Sequence, residues 1–405
     1  IWKFVRTDHF LARTGKRTQT QSACLNFAAS EKLFNMMFLP DPIAKATASD
    51  RMARIGYTRT QLMTSAPSPD TTRLVPWLES NVPGFSGFET IEKFPTGQSN
   101  PTYRVRARSG RYVLRRKPLG QLLKSAHAVD REYRIMRALA DTAVPVPRIY
   151  TLCFDDNVFD TMFYIMSCVE GRIFWDPSLS ELAASDRGQL YDEIIRVLAE
   201  LHSVNHVAVG LEDFGRPGSY FDRQTGRWSK QYRASETERI EAMEHLMDWL
   251  PEHSPPDDGQ NGLIHGDYRL DNMIFHDHEY RILAVIDWEI STVGHPLADL
   301  AYFCMGLRIT PGQHIQGLGG KDRRALGIPE EAQMLDRYCQ LRGISGIDNW
   351  HYYIAFSLFR LAAILQGVYK RSLDGNASNE RAAKMGSMVR PLAELAERIL
   401  NDERT

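Results

Sequence analysis

Residues 264–289 constrain the fold of this 405-residue chain more than any other stretch. They read Ile-His-Gly-Asp-Tyr-Arg-Leu-Asp-Asn-Met-Ile-Phe, then a polar turn, then Ile-Leu-Ala-Val-Ile-Asp-Trp-Glu. Gly262, Leu263 and Ile264 lead in with apolar character, and Asn272 to Phe275 lead out as a short strand. His276 to Glu279 make a turn into residues 280–286, so a hairpin is expected, with Asp287 at its far end facing back over the loop. Residues 265–272 are too polar for a core strand. Asp267 and Asn272, five positions apart, can therefore point into one cleft from a single loop.

That set of groups suits phosphoryl transfer to a hydroxyl. Magnesium takes oxygen ligands and is held by one or two carboxylates plus phosphates, and Asn272 and Asp287 are such donors. The acceptor hydroxyl needs a carboxylate to orient it and take its proton, because the catalysis is mostly positioning and electrostatics. Asp267 can serve. Arg269, two residues on, can offer positive charge to the group in transfer. An isolated His-Gly-Asp is weak, but His-x-Asp-x-x-x-x-Asn combined with Ile-Asp-Trp-Glu is specific. A metal-dependent hydrolase is the rival, built from His265, Asp267, His276, His278 and Asp287. No metal-ligand spacing such as HExxH accompanies it.

His265-Gly266-Asp267-Tyr268-Arg269-Leu270-Asp271-Asn272 and Val285-Ile286-Asp287-Trp288-Glu289 resemble the catalytic and metal motifs of aminoglycoside phosphotransferase and choline kinase relatives. They are most similar to the kinase domain found beside acyl-CoA dehydrogenase domains in some larger proteins. Residues 112–118, 125–133 and 294–301 support the resemblance, which covers roughly residues 75–400. It implies an α+β, bilobal protein-kinase-like fold, with a small β-rich N-lobe over residues 70–167 for the nucleotide. A larger helical C-lobe over residues 168–405 would hold the catalytic loop, metal and acceptor sites. ATP and Mg2+ are the implied cofactors.

The resemblance also implies roles. Arg115 stands where the family often has Lys and would contact the α and β phosphates, with Lys117 on the same strand face as the alternative. Glu132 would pair with that cation. Gly97, Gln98, Ser99 and Asn100 would cover the nucleotide, and backbone from Met166 to Cys168 would meet the adenine edge. His265 is expected to brace the loop, and Asp299 to accept its backbone amides. On residues alone, turn 95–100 reads equally as a plain hairpin turn. Arg115 also reads as a solvated edge charge, and Glu132 as a first-turn acid favoured by the helix dipole.

Around this centre the pattern predicts helices over 72–82, 130–140, 186–202, 235–250, 328–341, 350–369 and 379–400. Strands are expected over 88–94, 101–107, 112–116, 148–154 and 159–169. Residues 216–232, rich in Gly and aromatics, read as irregular chain lining an acceptor pocket, or as a surface loop. Residues 1–65 form a basic, acid-poor extension that reads as a tail, a transit peptide or sequence upstream of a true start. A net charge of -1 implies no nucleic-acid partner. Five scattered cysteines without a CxxC pair argue against a disulfide framework and fit a reducing, cytoplasmic setting. No run approaches the roughly 18 apolar residues of a membrane span. The expected partners are a nucleotide and a small-molecule hydroxyl acceptor, which the subgroup resemblance makes a hydroxylated acyl compound or other metabolite. The alternatives are an aminoglycoside acceptor, disfavoured by the absence of a dense acidic run in the C-lobe, and a catalytically silent nucleotide-binding module.

Overall fold

The computed structural model describes residues 69–94, 100–119, 128–216, 218–312, 315–374 and 385–402. The basic extension and residues 95–99 of the turn, Gly97, Gln98 and Ser99 among them, lie outside the described residues. Five strands, β1 (Phe88–Lys93), β2 (Thr102–Ala107), β3 (Gly110–Arg116), β4 (Ile149–Cys153) and β5 (Phe163–Ser167), form one antiparallel sheet in the order β1-β2-β3-β5-β4. Alternation sets its inner face: Tyr103, Val105 and Ala107 of β2 turn inward while Arg104 and Arg106 stay partly or fully exposed. Leu74 and Leu78 of the short helix α1 (Leu74–Asn81) close that small core.

Helix α2 (Val129–Leu139) carries Val129, Glu132, Ile135, Met136 and Leu139 on its buried stripe. A carboxylate at 1% exposure on an apolar stripe is stable only when paired. The apolar members of that stripe pack, with Tyr164, into the core of the helical lobe, so α2 ties the sheet to the rest of the molecule.

The second lobe is mixed but mainly helical. After α3 (Asp156–Phe159) come α4 (Ala184–Ser203), α5 (Tyr220–Ser235), α6 (Glu241–Glu252), α7 (Leu297–Arg308), α8 (Glu331–Arg342), α9 (Trp350–Leu373) and α10 (Gly386–Asp402). Helix α9 is apolar and long enough to cross a membrane, yet 94% of its most apolar window is buried among neighbouring elements, with α5, α7 and α10 against it. It is the core helix. Two antiparallel ribbons frame the loop at residues 265–272: β6 (Gly262–Ile264) pairs with β9 (Thr292–Gly294), and β7 (Met273–Phe275) with β8 (Ile282–Val285). The expected hairpin is thus the second ribbon.

Three expectations need correction. Residues 216–232 are not irregular: from Tyr220 onward they form α5, opened by Ser219, whose hydroxyl accepts the Asp222 amide. The expected helix over 235–250 is split, since α5 ends at Ser235 and α6 begins at Glu241. The strand expected from residue 159 begins only at Phe163, because α3 and a left-handed Asp160 (φ 65°) occupy the preceding positions.

Candidate active site

Strand β6 delivers His265, Gly266 and Asp267 to the cleft, and a 3-10 turn, Leu270–Asn272, returns the chain into β7. Gly266 stands at φ +83°, and a Cβ there would lie 3.0 Å from the Ile290 carbonyl oxygen, so conformation and space both call for glycine. Asp299 of α7 holds this corner. Its Oδ2 accepts the His265 amide at 2.5 Å and its Oδ1 the Gly266 amide at 2.8 Å. Burial pushes the Asp299 carboxyl up, but the hydrogen bond and charge of His202, with those of His265, outweigh burial and hold it below the usual range. His265 is committed to the same corner. Its Nε2–H donates to the Ile286 carbonyl at 3.0 Å, which leaves Nδ1 to accept the Asp267 amide at 3.2 Å. With both ring nitrogens engaged, this side chain fixes geometry rather than moving protons.

Asp267 is 3% exposed. The Asn272 amide donates to its carbonyl at 2.8 Å and to Oδ2 at 3.0 Å, while Oδ1 is buried with no hydrogen-bond partner. An oxygen so placed is costly unless a ligand or the neighbouring Tyr302 phenol satisfies it. Ile286 donates its amide to the Asn272 carbonyl at 2.9 Å, so Asp287, the next residue, is fixed beside the loop. Asp287 itself has φ +76°, a conformation that costs a non-glycine residue about 1–3 kcal/mol and clusters at functional sites.

The Asp287 carboxylate meets Arg115 of β3, whose Nη2 lies 2.9 Å from Oδ1. The same guanidinium pairs with Glu132 at 2.9 Å, lies 3.6 Å from Glu289, and donates to the Thr102 hydroxyl at 3.2 Å. Asn100 bridges Glu132 Oε1 at 2.8 Å and Glu289 Oε2 at 3.0 Å, and the Tyr164 hydroxyl donates to Glu132 Oε2 at 3.0 Å. Burial alone would lower the Arg115 pKa, but Glu132 and Glu289 push it up, and burial beside Glu132 pushes the Tyr164 phenol well above its usual range. One guanidinium therefore faces three carboxylates. Arg115, rather than Lys117, is the cation at their centre.

Several residues sit otherwise than expected. Arg269 is not turned toward a transferring phosphoryl group: its Nε donates to Asp271 Oδ1 at 2.5 Å and its Nη2 to Oδ2, a two-pronged pair. With Trp175, Tyr302, Phe303 and Leu361, that pair lines a mostly apolar cavity of about 110 Å³ beside the loop. The Cys168 amide, expected to face adenine, donates to the Arg111 carbonyl at 3.3 Å, and Met166 is held in the β ladder opposite Val113. The Asn100 amide nitrogen serves carboxylates rather than a phosphate. His276 lies in the β7–β8 turn, where Nδ1 accepts the His278 and Glu279 amides, so the hydrolase ligand set is not assembled. Sequence reasoning missed Glu289, although it stands within the Ile-Asp-Trp-Glu motif. It also missed Tyr302, whose phenol is pushed up well above its usual range by burial and the adjacent Asp267. Arg360 of α9 was missed as well; it donates to the Gly266 carbonyl at 2.8 Å.

Residues 90–339, more than half of the chain, match the model of the phosphotransferase enzyme family. A mouse protein named acyl-CoA dehydrogenase family member 10 is 49% identical over 305 residues, which is 75% of this chain and 28% of that protein. The chain spans 42% of the human protein named acyl-CoA dehydrogenase family member 11, at 40% identity over 80% of its own length. A crystal structure of a putative aminoglycoside phosphotransferase from Ralstonia eutropha superimposes with a TM-score of 0.77 at 47% identity, covering 82% of this chain and 99% of that one. The sheet, the framed loop and the helical lobe described above are those of protein-kinase-like phosphotransferases, and the chain belongs to the phosphotransferase enzyme family.

Proposed function

We propose that this protein is an ATP- and Mg2+-dependent phosphotransferase that moves the γ-phosphate to a hydroxyl of a small molecule. One observation carries the reading. The Arg115 guanidinium gathers the carboxylates of Glu132, Asp287 and Glu289 at the seam, beside the loop that carries Asp267, whose Oδ1 is buried. Carboxylate oxygens gathered at one place are the donors that a hard divalent cation takes. Asp287 and Asn272 are the residues that would hold magnesium, and when bound it would screen the phosphate charge. In this reading Asp267 orients the acceptor hydroxyl and takes its proton, the Asn272 amide keeps Oδ2 in place, and Arg115 turns from Asp287 toward phosphate oxygens. Spectinomycin phosphotransferase, solved with ADP, shares the fold at a TM-score of 0.55 and 14% identity, which accords with nucleotide use.

For the acceptor, the reading is a hydroxylated acyl compound or similar metabolite. The apolar cavity beside the loop suits a short hydrocarbon segment, being smaller than the roughly 150 Å³ cavity known to take benzene. The names of the longer relatives point to acyl chemistry. The experiment is a screen of ADP release over hydroxy acids, hydroxyacyl thioesters, amino alcohols, sugars and aminoglycosides. ADP release above background with one hydroxylated class supports the reading. Tight Mg-ATP binding with no release from any class would favour a silent nucleotide-binding module, the alternative motivated by the Arg115 to Asp287 contact.

A further inference from the structure

A cavity of about 690 Å³ opens between α4 and α8, and none of its lining residues belongs to the loop at residues 265–272. That size falls within the roughly 300–1,000 Å³ of small-molecule pockets. Its floor is apolar and buried: Tyr191 and Ile195 of α4, Met334 of α8, and Ile328 from the segment before α8. The smaller cavity beside the loop shares only Tyr191 with it.

The walls are preformed. Gly327 stands at φ +71°, and a Cβ there would run into the Ala184 carbonyl oxygen, so the segment before α8 lies directly on the start of α4. Arg187 clamps the same contact: its Nη1 donates to the Leu326 carbonyl at 3.0 Å and its Nη2 to the Leu182 carbonyl at 2.9 Å. Tyr191 donates its hydroxyl to the Pro177 carbonyl at 2.6 Å, which holds its ring in the floor.

Four charged residues line this cavity, and three of them are already served. Asp192 accepts the Arg337 Nε–H at 2.7 Å. Glu330 accepts the Gln333 amide in the capping box of α8, and Arg323 stands 3.7 Å from its Oε2. The fourth is Arg324, which is exposed and has no carboxylate partner among the described residues. An apolar floor with one unengaged guanidinium at its rim is complementary to a molecule that is apolar along its body and negative at one end. A guanidinium fork takes a carboxylate through paired hydrogen bonds.

We propose that this cavity is a second small-molecule site, separate from the nucleotide and acceptor sites, for an amphipathic anion. An aliphatic chain lies on Tyr191, Ile195, Ile328 and Met334, and a carboxylate meets Arg324. Burial of the chain supplies the affinity, and the cation selects the charge of the head group.

The test is calorimetric titration of the full chain, without nucleotide, using three probes of equal chain length: octanoate, octanamide and octylammonium. Octanoate should bind about tenfold tighter than octanamide, the size of one charge-assisted contact, and octylammonium should bind most weakly. Arg324→Gln, a change at an exposed side chain, should bring octanoate down to the affinity of octanamide, and Arg324→Lys should restore part of the difference. An octanoate analogue with a diazirine on its chain locates the site: after photolysis, peptide mapping should find the label within residues 188–195 or 328–337. Equal binding of octanoate and octanamide, a preference for octylammonium, or no binding of any probe overturns the proposal. So does an Arg324→Gln chain that keeps the full preference for octanoate. Label found only elsewhere overturns it as well, and label within residues 302–309 would place the chain in the smaller cavity. No nucleotide enters these measurements, so the phosphotransferase reading stands or falls apart from them.

Discussion

Replacing Asp299 by Asn tests how the loop is held. The carboxylate is fully buried and accepts two backbone amides, from His265 and Gly266, at 2.5 and 2.8 Å. Asn keeps one acceptor oxygen and turns an NH2 toward the other amide. The variant therefore loses one charge-assisted bond, about 1.5–3 kcal/mol, and leaves a buried N–H unsatisfied, about 1–3 kcal/mol. These overlap, so we expect a loss of about 3–4 kcal/mol, a large share of a typical domain's stability. Urea unfolding followed by tryptophan fluorescence measures it. The pH dependence gives a sharper check. The Asp299 pKa is lowered in the folded protein, so its contribution is fully present above the unfolded value of about 3.9 and is lost as pH falls through the lower folded value. The gap between wild type and variant should stay flat from pH 7 to about 4.5 and narrow only below. A gap under about 1 kcal/mol at pH 7, or one that closes between pH 7 and 5, would refute the assignment.

Asp267→Ala should lower turnover roughly a thousandfold, in line with loss of a catalytic positioning group, with Mg-nucleotide affinity retained; stopped-time ADP assays beside nucleotide titration separate the two, and retained turnover would move the base elsewhere. Asp287→Asn should instead weaken Mg-nucleotide binding, about tenfold or more for one lost charge-assisted ligand, and a variant that binds normally would remove Asp287 from the metal site. Gly266→Ala should destabilise by about 1–3 kcal/mol through its positive φ and the Ile290 carbonyl, a cost read as a lowered melting temperature; an unchanged value would mean that the corner tolerates a side chain.

The loop and its hairpin were legible because their signals are local: polar residues bounded by apolar triplets, and a short turn between strands. Asn272 meets Asp267 within the loop, and Asp287 follows Ile286, whose amide bonds the Asn272 carbonyl, because β7 and β8 are neighbours in sequence as well as space. What escaped notice was either disguised or distant. In α5 the stripe of Phe221, Thr225, Trp228, Tyr232 and Ser235 has helical spacing, but Gly226 and the many polar residues around it concealed the period. Arg269 carried its own partner two residues on, in Asp271, and only the 3-10 turn brings the two together. Arg360 contacts Gly266 across 94 positions, a link that no local pattern encodes. The one available signal was a cation between Phe359 and Leu361, in the apolar middle of a helix whose other Lys and Arg, Lys370 and Arg371, lie in its last turn.

Arginine at position 115 makes sense once all its contacts are counted together. Nε serves Glu132, Nη1 the Thr102 hydroxyl and Nη2 Asp287, three directions from one rigid plane. A lysine ammonium is a single point and cannot hold a strand, a helix and the far lobe at once. Such a cluster is weak evidence of stability, because desolvating buried charges offsets much of their attraction and apolar residues of like volume can serve as well or better. Its place at the seam between sheet and helical lobe points instead to what the seam would bind. In the proposed function a magnesium-bound nucleotide would bring positive charge to Asp287 and phosphate oxygens to the guanidinium in one step.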